Sequence, residues 1–210
     1  MGYTHTGPAD RSRGTIRKLF GTDMPLFREH LLRLDPQSRR DRFVGAVSDA
    51  YLAAYAERCF ASEGLVYGYV EDGRVRGAAE LQPYGEWSDL RAEAAFSVEA
   101  PWRCQGIGSA LFEHLLVAAR NRRVRQLAMS CLAYNRPMQA LARKYRADLA
   151  LERGEVVGTV ATAGPTPFTL MQEAVDDARG FMSAAADLQQ RIWQPLGAAP
   201  AATPATQTAR

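Results

Sequence analysis

The spacing of apolar and polar residues along the chain predicts a domain that mixes helices and strands. Residues 15–20, TIRKLF, are typical of a first strand, and Asp23 is placed to cap a helix that ends near Pro36. A second helix is predicted over residues 48–61, because its apolar side chains recur every three or four positions. The domain therefore begins with one strand and two helices.

The period then changes to that of strands. Residues 65–81 form two strand-like runs on either side of Asp72-Gly73, a dipeptide favoured in tight hairpin turns. In the next run, residues 92–98, every second side chain is apolar, which predicts a strand with one face on the core. These runs together predict an antiparallel meander of three strands.

The segment that follows alternates helices and strands. It contains a glycine-rich loop with a helix to about Arg120, a strand over 125–132, a helix from Asn135 to about Tyr145, and one or two strands within 150–162. This order predicts an α/β fold with a mixed central sheet of about six to seven strands and helices on both faces. The strands 92–98 and 125–132 are expected to lie parallel, and ligands bind such sheets at the carboxyl ends of the strands.

The predicted domain comprises residues 14–167, and three segments lie outside it. Residues 1–13 and 195–210 contain almost no large apolar side chains, so we expect a flexible N-terminus and a disordered tail. Residues 168–194 predict a C-terminal helical extension, with an apolar stripe at steps of three and four: Met171, Val175, Ala178, Met182, Ala185, Leu188 and Ile192. One interpretation packs this helix on its own domain, and the other makes it a homodimer contact.

Composition excludes several classes of protein. The net charge of +3 is scattered along the 210 residues, so no nucleic-acid partner is expected. The chain has neither a signal peptide nor a run of about 18 apolar residues, which predicts a cytoplasmic protein without a membrane partner. Cys59, Cys104 and Cys131 include no Cys-x-x-Cys pair, so neither a disulfide framework nor a metal site is expected.

Residues 103–109, Arg-Cys-Gln-Gly-Ile-Gly-Ser, carry the clearest chemical pattern, because they join a strand to a helix. A helix N-terminus exposes N–H groups and a partial positive charge, and Gly106 and Gly108 leave room for a phosphate. Each glycine costs the helix roughly 1 kcal/mol relative to alanine. Hydrogen bonds to a charged group contribute about 1.5–3 kcal/mol each, so a bound anion would offset that cost. A nucleotide-triphosphate loop is excluded by the missing Lys-Ser/Thr, and a dinucleotide fingerprint by Leu111.

The same residues resemble the acyl-CoA pyrophosphate loop, Arg/Gln-x-x-Gly-x-Gly/Ala, of the GNAT superfamily of N-acetyltransferases. Residues 135–138, Asn-Arg-Pro-Met, are similar to the family's Asn-x-x-(Ala/Met) signature. The resemblance covers about residues 15–162. Within it, residues 32–43 resemble the substrate-side region of bacterial members that include protein lysine acetyltransferase domains.

The resemblance implies a GNAT fold and an acetyl-CoA-dependent N-acetyltransferase. It implies acetyl-CoA as the acyl donor, and as the acceptor a primary amine of a small molecule or of a protein lysine. It assigns the cofactor contacts to the strand, the loop and the asparagine, namely Phe96, Ser97, Val98, Arg103, Cys104, Gln105, Gly106, Ile107, Gly108, Ser109 and Asn135.

Direct attack by an amine calls for a general base. Freeing the lone pair of an alkylamine with a pKa of about 10.4 costs roughly 4–5 kcal/mol at neutral pH, whereas releasing a thiolate costs about 2 kcal/mol. Glu93, ten residues before Arg103, lies near where related enzymes place a catalytic glutamate. The alternative for Glu93 is a strand-edge side chain that faces solvent, and Glu80 and Glu99 are reserve candidates.

One position departs from the family pattern. Many members have a tyrosine seven residues after the asparagine as general acid, and this chain has Ala142 there. The tyrosines that could replace it, for which aromatic packing is the alternative role, are Tyr84, Tyr134 and Tyr145. The substitution keeps open an alternative function, a GNAT-fold acyl-CoA-binding sensor or scaffold without turnover.

Two other groups of polar residues carry no diagnostic pattern. Residues 39–42, Arg-Arg-Asp-Arg, are predicted to form a solvated turn, with recognition of an acidic substrate as the alternative. His5 and His30 have no partner in the sequence, and His114 is expected to be a surface or packing residue of the helix after the loop.

Overall fold

The structure is a computed structural model that describes residues 14–84, 90–152 and 154–193. The predicted flexible N-terminus and disordered tail lie outside the described residues. The described strands are β1 Thr15–Lys18, β2 Leu65–Glu71, β3 Arg74–Pro83, β4 Arg91–Val98, β5 Gln126–Leu132, β6 Asp148–Glu152 and β7 Glu155–Ala161. The described helices are α1 Met24–Arg33, α2 Pro36–Phe43, α3 Asp49–Ala61, α4 Ile107–Asn121, α5 Arg136–Lys144 and α6 Pro167–Trp193.

In the described part of the chain, seven strands form one sheet in the order β1-β2-β3-β4-β5-β7-β6. All neighbouring pairs are antiparallel except β4 and β5, which are parallel as predicted. The β4–β5 ladder runs only from Arg91 and Gln126 to Glu93 and Ala128, although both strands continue. Their carboxyl-terminal halves therefore leave a cleft in the middle of the sheet. The predicted mixed α/β fold is confirmed.

Helices cover both faces of the sheet, each over its own apolar core. On one face, α4 contributes three fully buried side chains, Leu111, Phe112 and Leu115, to a cluster that includes residues of β2 to β5. On the other face, α1 and α3 bury Phe27, Leu31, Leu52 and Ala56 against β2 and β3. Successive side chains of a strand point to opposite faces of the sheet, so the central strands contribute apolar residues to both clusters.

Helix α2 corrects the expectation of a solvated turn at residues 39–42. Asp35 caps the helix by accepting a hydrogen bond from the Ser38 backbone N–H at 2.9 Å, and Pro36 stands in its first turn. The side chain of Arg42 is almost fully buried and forms an ion pair with Glu80. The helix was missed because its residues PQSRRDRF contain almost no apolar side chains to show a period.

Helix α6 packs on its own domain through polar side chains. The Thr169 hydroxyl donates to Asn121 Oδ1 at 2.7 Å, and Glu173 accepts from Asn121 at 2.6 Å and from Arg122 at 2.7 Å. Further along the helix, two aspartates pair with β1, in Lys18–Asp177 and Arg17–Asp187, each at 3.5 Å.

The apolar stripe of α6 does not make these contacts with the domain through its described side chains. Met171, Val175, Met182 and Leu188 are all exposed, because the polar side of the helix faces the domain. The side chain of Ile192 lies outside the described residues.

None of the helices in the described ranges combines the length and the apolar character needed to cross a membrane.

Candidate active site

A cavity of about 680 Å³ lies at the carboxyl ends of β4 and β5, where the two strands diverge. This volume lies within the range of small-molecule sites, about 300–1,000 Å³. Its walls are α2, β4, the loop before α4, the first turn of α4, the end of β5 and α5. The predicted location at strand carboxyl ends agrees with this position.

Ten of the eleven predicted cofactor contacts line the cavity, namely Phe96, Ser97, Val98, Arg103, Cys104, Gly106, Ile107, Gly108, Ser109 and Asn135. Gln105 does not belong to the lining. Its side-chain amide instead donates a hydrogen bond to the Pro101 carbonyl oxygen at 2.9 Å, on the exposed side of the loop.

The first turn of α4 is open toward the cavity. Gly106 is the N-cap and has φ +83°, which a residue with a Cβ adopts only with strain. No side chain caps this N-terminus, and a Cβ built at Gly106 or at Gly108 would meet nothing within 4 Å. The N–H groups of the turn are therefore accessible to an anion.

Arg103 is held between the loop and α2. Its Nε donates to the Val98 carbonyl oxygen at 3.0 Å, and its Nη2 donates to the Ser38 hydroxyl. Asp35 Oδ2 lies 3.9 Å from the same Nη2. Since 43% of the arginine side chain stays exposed, its charge remains available beside the helix N-terminus.

Asn135 lines the other side of the cavity. It is the N-cap of α5, and its side-chain oxygen accepts a hydrogen bond from the Met138 backbone N–H at 3.2 Å. Lys144, at the end of α5, adds a further cationic side chain to the lining.

Glu93 lies in the same cavity, at the point where the β4–β5 ladder ends. It is partly buried on an internal strand, with Gln82 of β3 on one side and Ala128 of β5 on the other. Burial raises the pKa of the Glu93 carboxyl above its ordinary value, and the negative charges of Glu80 and Glu155 act in the same direction against Arg42. This position is that of a cavity residue rather than of a solvated edge residue.

The reserve candidate Glu80 is fully buried and does not line the cavity. Its carboxylate accepts hydrogen bonds from Arg42 Nη2 at 2.8 Å, from the Tyr55 hydroxyl and from the Cys59 thiol at 3.5 Å. Burial and the charge of Glu80 raise the pKa of Cys59 to about 12, so this thiol stays protonated. Sequence spacing gave no sign of this network, because its members lie on α2, α3 and β3.

Glu99, the second reserve candidate, belongs to another buried network. It accepts hydrogen bonds from Arg33 Nε at 3.0 Å and Arg76 Nη1 at 3.1 Å, and lies 3.2 Å from Nδ1 of His30. Burial alone would raise the pKa of Glu99, but the hydrogen bonds from His30 and Arg33 lower it.

His30 is fully buried, and burial lowers the pKa of its imidazole. The neutral ring donates from Nδ1 to Glu99, so its Nε2 accepts from the Ser97 hydroxyl at 2.9 Å. The partners of His30 lie 67 and 69 residues away in sequence, and nothing local indicated them.

The three tyrosines considered as general acids differ in position. Tyr145 stacks on Phe112 at 4.2 Å between ring centroids, and its hydroxyl lies 3.0 Å from the Ser109 carbonyl oxygen. Tyr84 is exposed outside the cavity lining. Tyr134 lines the cavity, where its hydroxyl accepts a hydrogen bond from Gln37 at 3.1 Å.

The described residues do not include a cluster of side chains suited to bind a metal ion. Across residues 14–84, 90–152 and 154–193, no group of three or more His, Cys, Asp or Glu side chains is placed to hold a metal ion.

Comparison with known proteins gives one family match. The sequence model of the acetyltransferase (GNAT) family matches residues 31–147, more than half of the chain. No curated protein sequence matches the chain.

Solved structures show the same fold. The GNAT domain of S. lividans PAT superposes with a TM-score of 0.62 at 19% identity, over 74% of this chain and 99% of that one. Ribosomal-protein-alanine N-acetyltransferase from Brucella melitensis gives 0.55 at 19% identity, over 70% and 99%. An N-acetyltransferase from Staphylococcus aureus gives 0.56 at 18% identity, over 71% and 99%. The family match and this likeness of fold point to the same class of protein.

Proposed function

Because this chain belongs to the GNAT acetyltransferase family, we propose that it moves an acetyl group from acetyl-CoA to a primary amine, with Glu93 as general base. Acetyl transfer as such is the activity of the family. The observation that supports the finer proposal is the cavity itself, which joins an open helix N-terminus to a partly buried carboxylate. The helix N-terminus suits the anionic acetyl donor, and the carboxylate suits a cationic acceptor amine.

The glycine-rich end of the cavity fits the pyrophosphate of coenzyme A. The first turn of α4 offers backbone N–H groups without Cβ atoms at Gly106 and Gly108, and Arg103 supplies a positive charge beside them. Beyond Glu93, β4 does not pair with β5, and its residues 96–98 line the cavity, where an extended pantetheine arm would lie along the strand. Bound acetyl-CoA supplies an activated thioester carbonyl carbon.

Glu93 would act on the acceptor. An ammonium group at this end of the cavity is attracted to the carboxylate, which takes one proton and leaves a neutral amine. The amine nitrogen then forms a bond to the thioester carbon, and the carbon–sulfur bond breaks to release a thiolate. The nitrogen gives up its second proton to leave a neutral amide, and the thiolate takes up one proton to become the free thiol. Because the pKa of Glu93 is raised, it differs less from the pKa of the amine, and the ionised carboxylate is a better base.

Protonation of the leaving thiolate demands less help, because a thiol with a pKa of about 8.5 departs readily near neutral pH. Of the three tyrosines, Tyr134 is the one that belongs to the cavity lining, so it is the best placed to donate that proton. Tyr145 is held by aromatic stacking and has a packing role.

The acceptor is an amine of a small molecule or of a protein, as in the ribosomal-protein-alanine N-acetyltransferase that shares the fold. We assign the reaction to the unit of residues 14–167, with residues 168–194 as a helical extension. An acyl-CoA-binding sensor without turnover is the second candidate, and Ala142 in place of a tyrosine keeps it open.

Two measurements test this proposal. Calorimetry with acetyl-CoA should show binding at one site per chain, and its absence would reject both candidate functions. Thiol release from acetyl-CoA with a panel of amines and lysine peptides should then show turnover. Binding without thiol release across the panel would favour the sensor.

A further inference from the structure

Helix α6 presents an apolar face to solvent along its whole described length. Of the 22 positions from 168 to 189, 14 are exposed, and Arg179 is the single charged residue among these 14. The large apolar side chains of this face are between 41% and 70% exposed: Phe168, Leu170, Met171, Val175, Phe181, Met182 and Leu188. We call these seven residues the α6 outer face.

The helix docks on its domain mainly through the side opposite the outer face. Of the seven residues, Phe181 at the border makes an edge-to-face contact with Phe20, at 6.3 Å between ring centroids. The eight remaining positions between 168 and 189 include Thr169, Glu173, Asp177 and Asp187, which make the polar contacts with α4 and β1, and Gly180, which lies against Arg17. At 100° per residue, the exposed apolar positions span an arc of about 160° on the opposite side of the helix. A contiguous apolar surface of this kind marks an interaction site.

The segments of the sequence that lie outside the described residues are poor in large apolar side chains. Residues 1–13 contain Met1 and Tyr3, residues 85–89 contain Trp87, and residues 194–210 contain Leu196. Four such side chains are too few to cover the seven of the outer face.

A lipid surface does not fit the charges of the helix. Helices that lie on membranes carry Lys and Arg along their polar side. The polar side of α6 is instead acidic, with Glu173, Asp176, Asp177 and Asp187, and it faces the domain rather than solvent.

We propose that the α6 outer face is a homodimer interface, in which two copies of the chain pack their α6 helices against each other. A two-fold interface pairs one patch with itself, and an apolar patch with one charge is self-complementary without oppositely charged partners. The alanines Ala174, Ala178, Ala185 and Ala186 alternate with the large side chains and let two helices approach closely.

The available area is that of a stable dimer. If each of the seven side chains presents about 100 Å², half of the roughly 200 Å² of a large side chain, the outer face supplies about 700 Å² per copy. A standard protein interface buries about 800 Å² per partner. Residues beside α6 therefore need to contribute only about 100 Å² of the buried area per partner.

The test is the mass of the full chain in solution, measured by light scattering after size exclusion at several micromolar concentrations. We expect twice the chain mass of 23.1 kDa for the natural sequence and a single chain mass for the M171Q/M182Q variant. The matched control is L151Q, which replaces a 71% exposed leucine of β6 and should leave the dimer intact. Acetyl-CoA binding and circular dichroism should be the same in all three proteins.

A monomeric natural chain at every concentration would overturn the proposal, and so would a dimer that survives in M171Q/M182Q. A monomer that binds vesicles of anionic lipid through α6 would assign the outer face to a membrane instead. The proposal does not depend on acetyl transfer, because the mass is measured without substrate.

Discussion

Among single residues, Glu93 shows most directly how the fold prepares a group for chemistry. Its carboxylate is partly buried at the end of a strand ladder, and burial raises its pKa while Arg42 limits the rise. The same environment that makes the ionised carboxylate a better base also makes that carboxylate unfavourable for the stability of the folded chain. Activity and stability should therefore respond in opposite directions to its removal.

The E93Q variant tests the catalytic role. Loss of a general base typically lowers a rate by roughly 10²–10⁴-fold, so we expect kcat to fall in this range while acetyl-CoA affinity stays unchanged. Thiol release and calorimetry measure the two quantities. E57Q, at an exposed position of α3, is the control that should keep full activity, and an undiminished rate in E93Q would exclude Glu93 as the base.

The pH dependence follows from the direction of the pKa shift. Protonated Glu93 cannot accept a proton, so kcat/KM should rise with pH through the Glu93 pKa, at a pH above the ordinary glutamate value of about 4.3. A pH profile of thiol release checks this limb. If the rise of kcat/KM with pH persisted in E93Q, it would have to be assigned to another titrating group.

Stability gives a second test of the same residue. A carboxyl whose pKa is higher in the folded than in the unfolded chain favours folding below its unfolded pKa, and this contribution is lost as the pH rises through the folded pKa. At pH 7, E93Q removes a partly buried charge, so its melting temperature should equal or exceed that of the natural chain. A lower value would indicate that the carboxylate makes a stabilising contact.

At the scale of elements, the N-terminus of α4 and helix α2 form facing parts of the cavity wall. A role for Gly106 and Gly108 could be proposed from the sequence, because that role involves only the backbone of one helix turn. Helix α2 was missed because PQSRRDRF lacks apolar periodicity, and what stabilises it is a cap at Asp35 and the buried pair Arg42–Glu80. Its position depends on β3, which lies 38 residues further along the chain.

The glycine loop can be tested with three matched substitutions. G106A should lower both stability and acetyl-CoA affinity, because φ is +83° and a methyl group would stand in the anion site. G108A has no such strain and should weaken binding while stability stays equal or rises by up to about 1 kcal/mol. G73A, with φ +69° in the β2–β3 turn, should lose stability alone. Calorimetry and thermal unfolding separate these patterns, and normal binding by G106A and G108A would contradict the assignment.

The buried ion pair that holds α2 should be sensitive to loss of one partner. Removing one charge of a buried pair typically costs about 3–5 kcal/mol, because the other charge is left without compensation. We expect E80A to reduce the free energy of unfolding by about this amount, measured by urea denaturation, whereas E57A changes it little. A loss below about 1 kcal/mol would show that water solvates Arg42.

At the scale of the whole molecule, three sets of contacts join distant segments around the cleft. The Glu99 network ties α1 to the end of β4, the Glu80 network ties α2 and α3 to β3, and the polar face of α6 ties the C-terminal helix to α4 and β1. These contacts hold the helices against a sheet that is interrupted between β4 and β5. Within the described residues, the outer face of α6 is a large apolar surface that these contacts leave exposed, so dimer formation is tested on the full chain.

The sequence by itself determined the order of the described strands and of the described helices other than α2. It also determined the parallel pair at β4 and β5 and the glycine loop at a helix N-terminus. Each of these follows from periodicity or from the conformational preference of neighbouring residues, which are local properties. Ten of the eleven proposed cofactor contacts and Glu93 therefore lie together in one cavity.

Only the tertiary structure decided which polar groups are buried together and which side of α6 faces solvent. His30 and Glu99 are 69 residues apart, and Arg42 and Glu80 are 38 apart, so no spacing rule connects them. The direction of the α6 stripe depends on the basic side chains of β1 and of Arg122, just after α4, which pair with acidic residues on the opposite side of the helix. An apolar period locates the apolar face of a helix, but what that face contacts depends on what the opposite face binds.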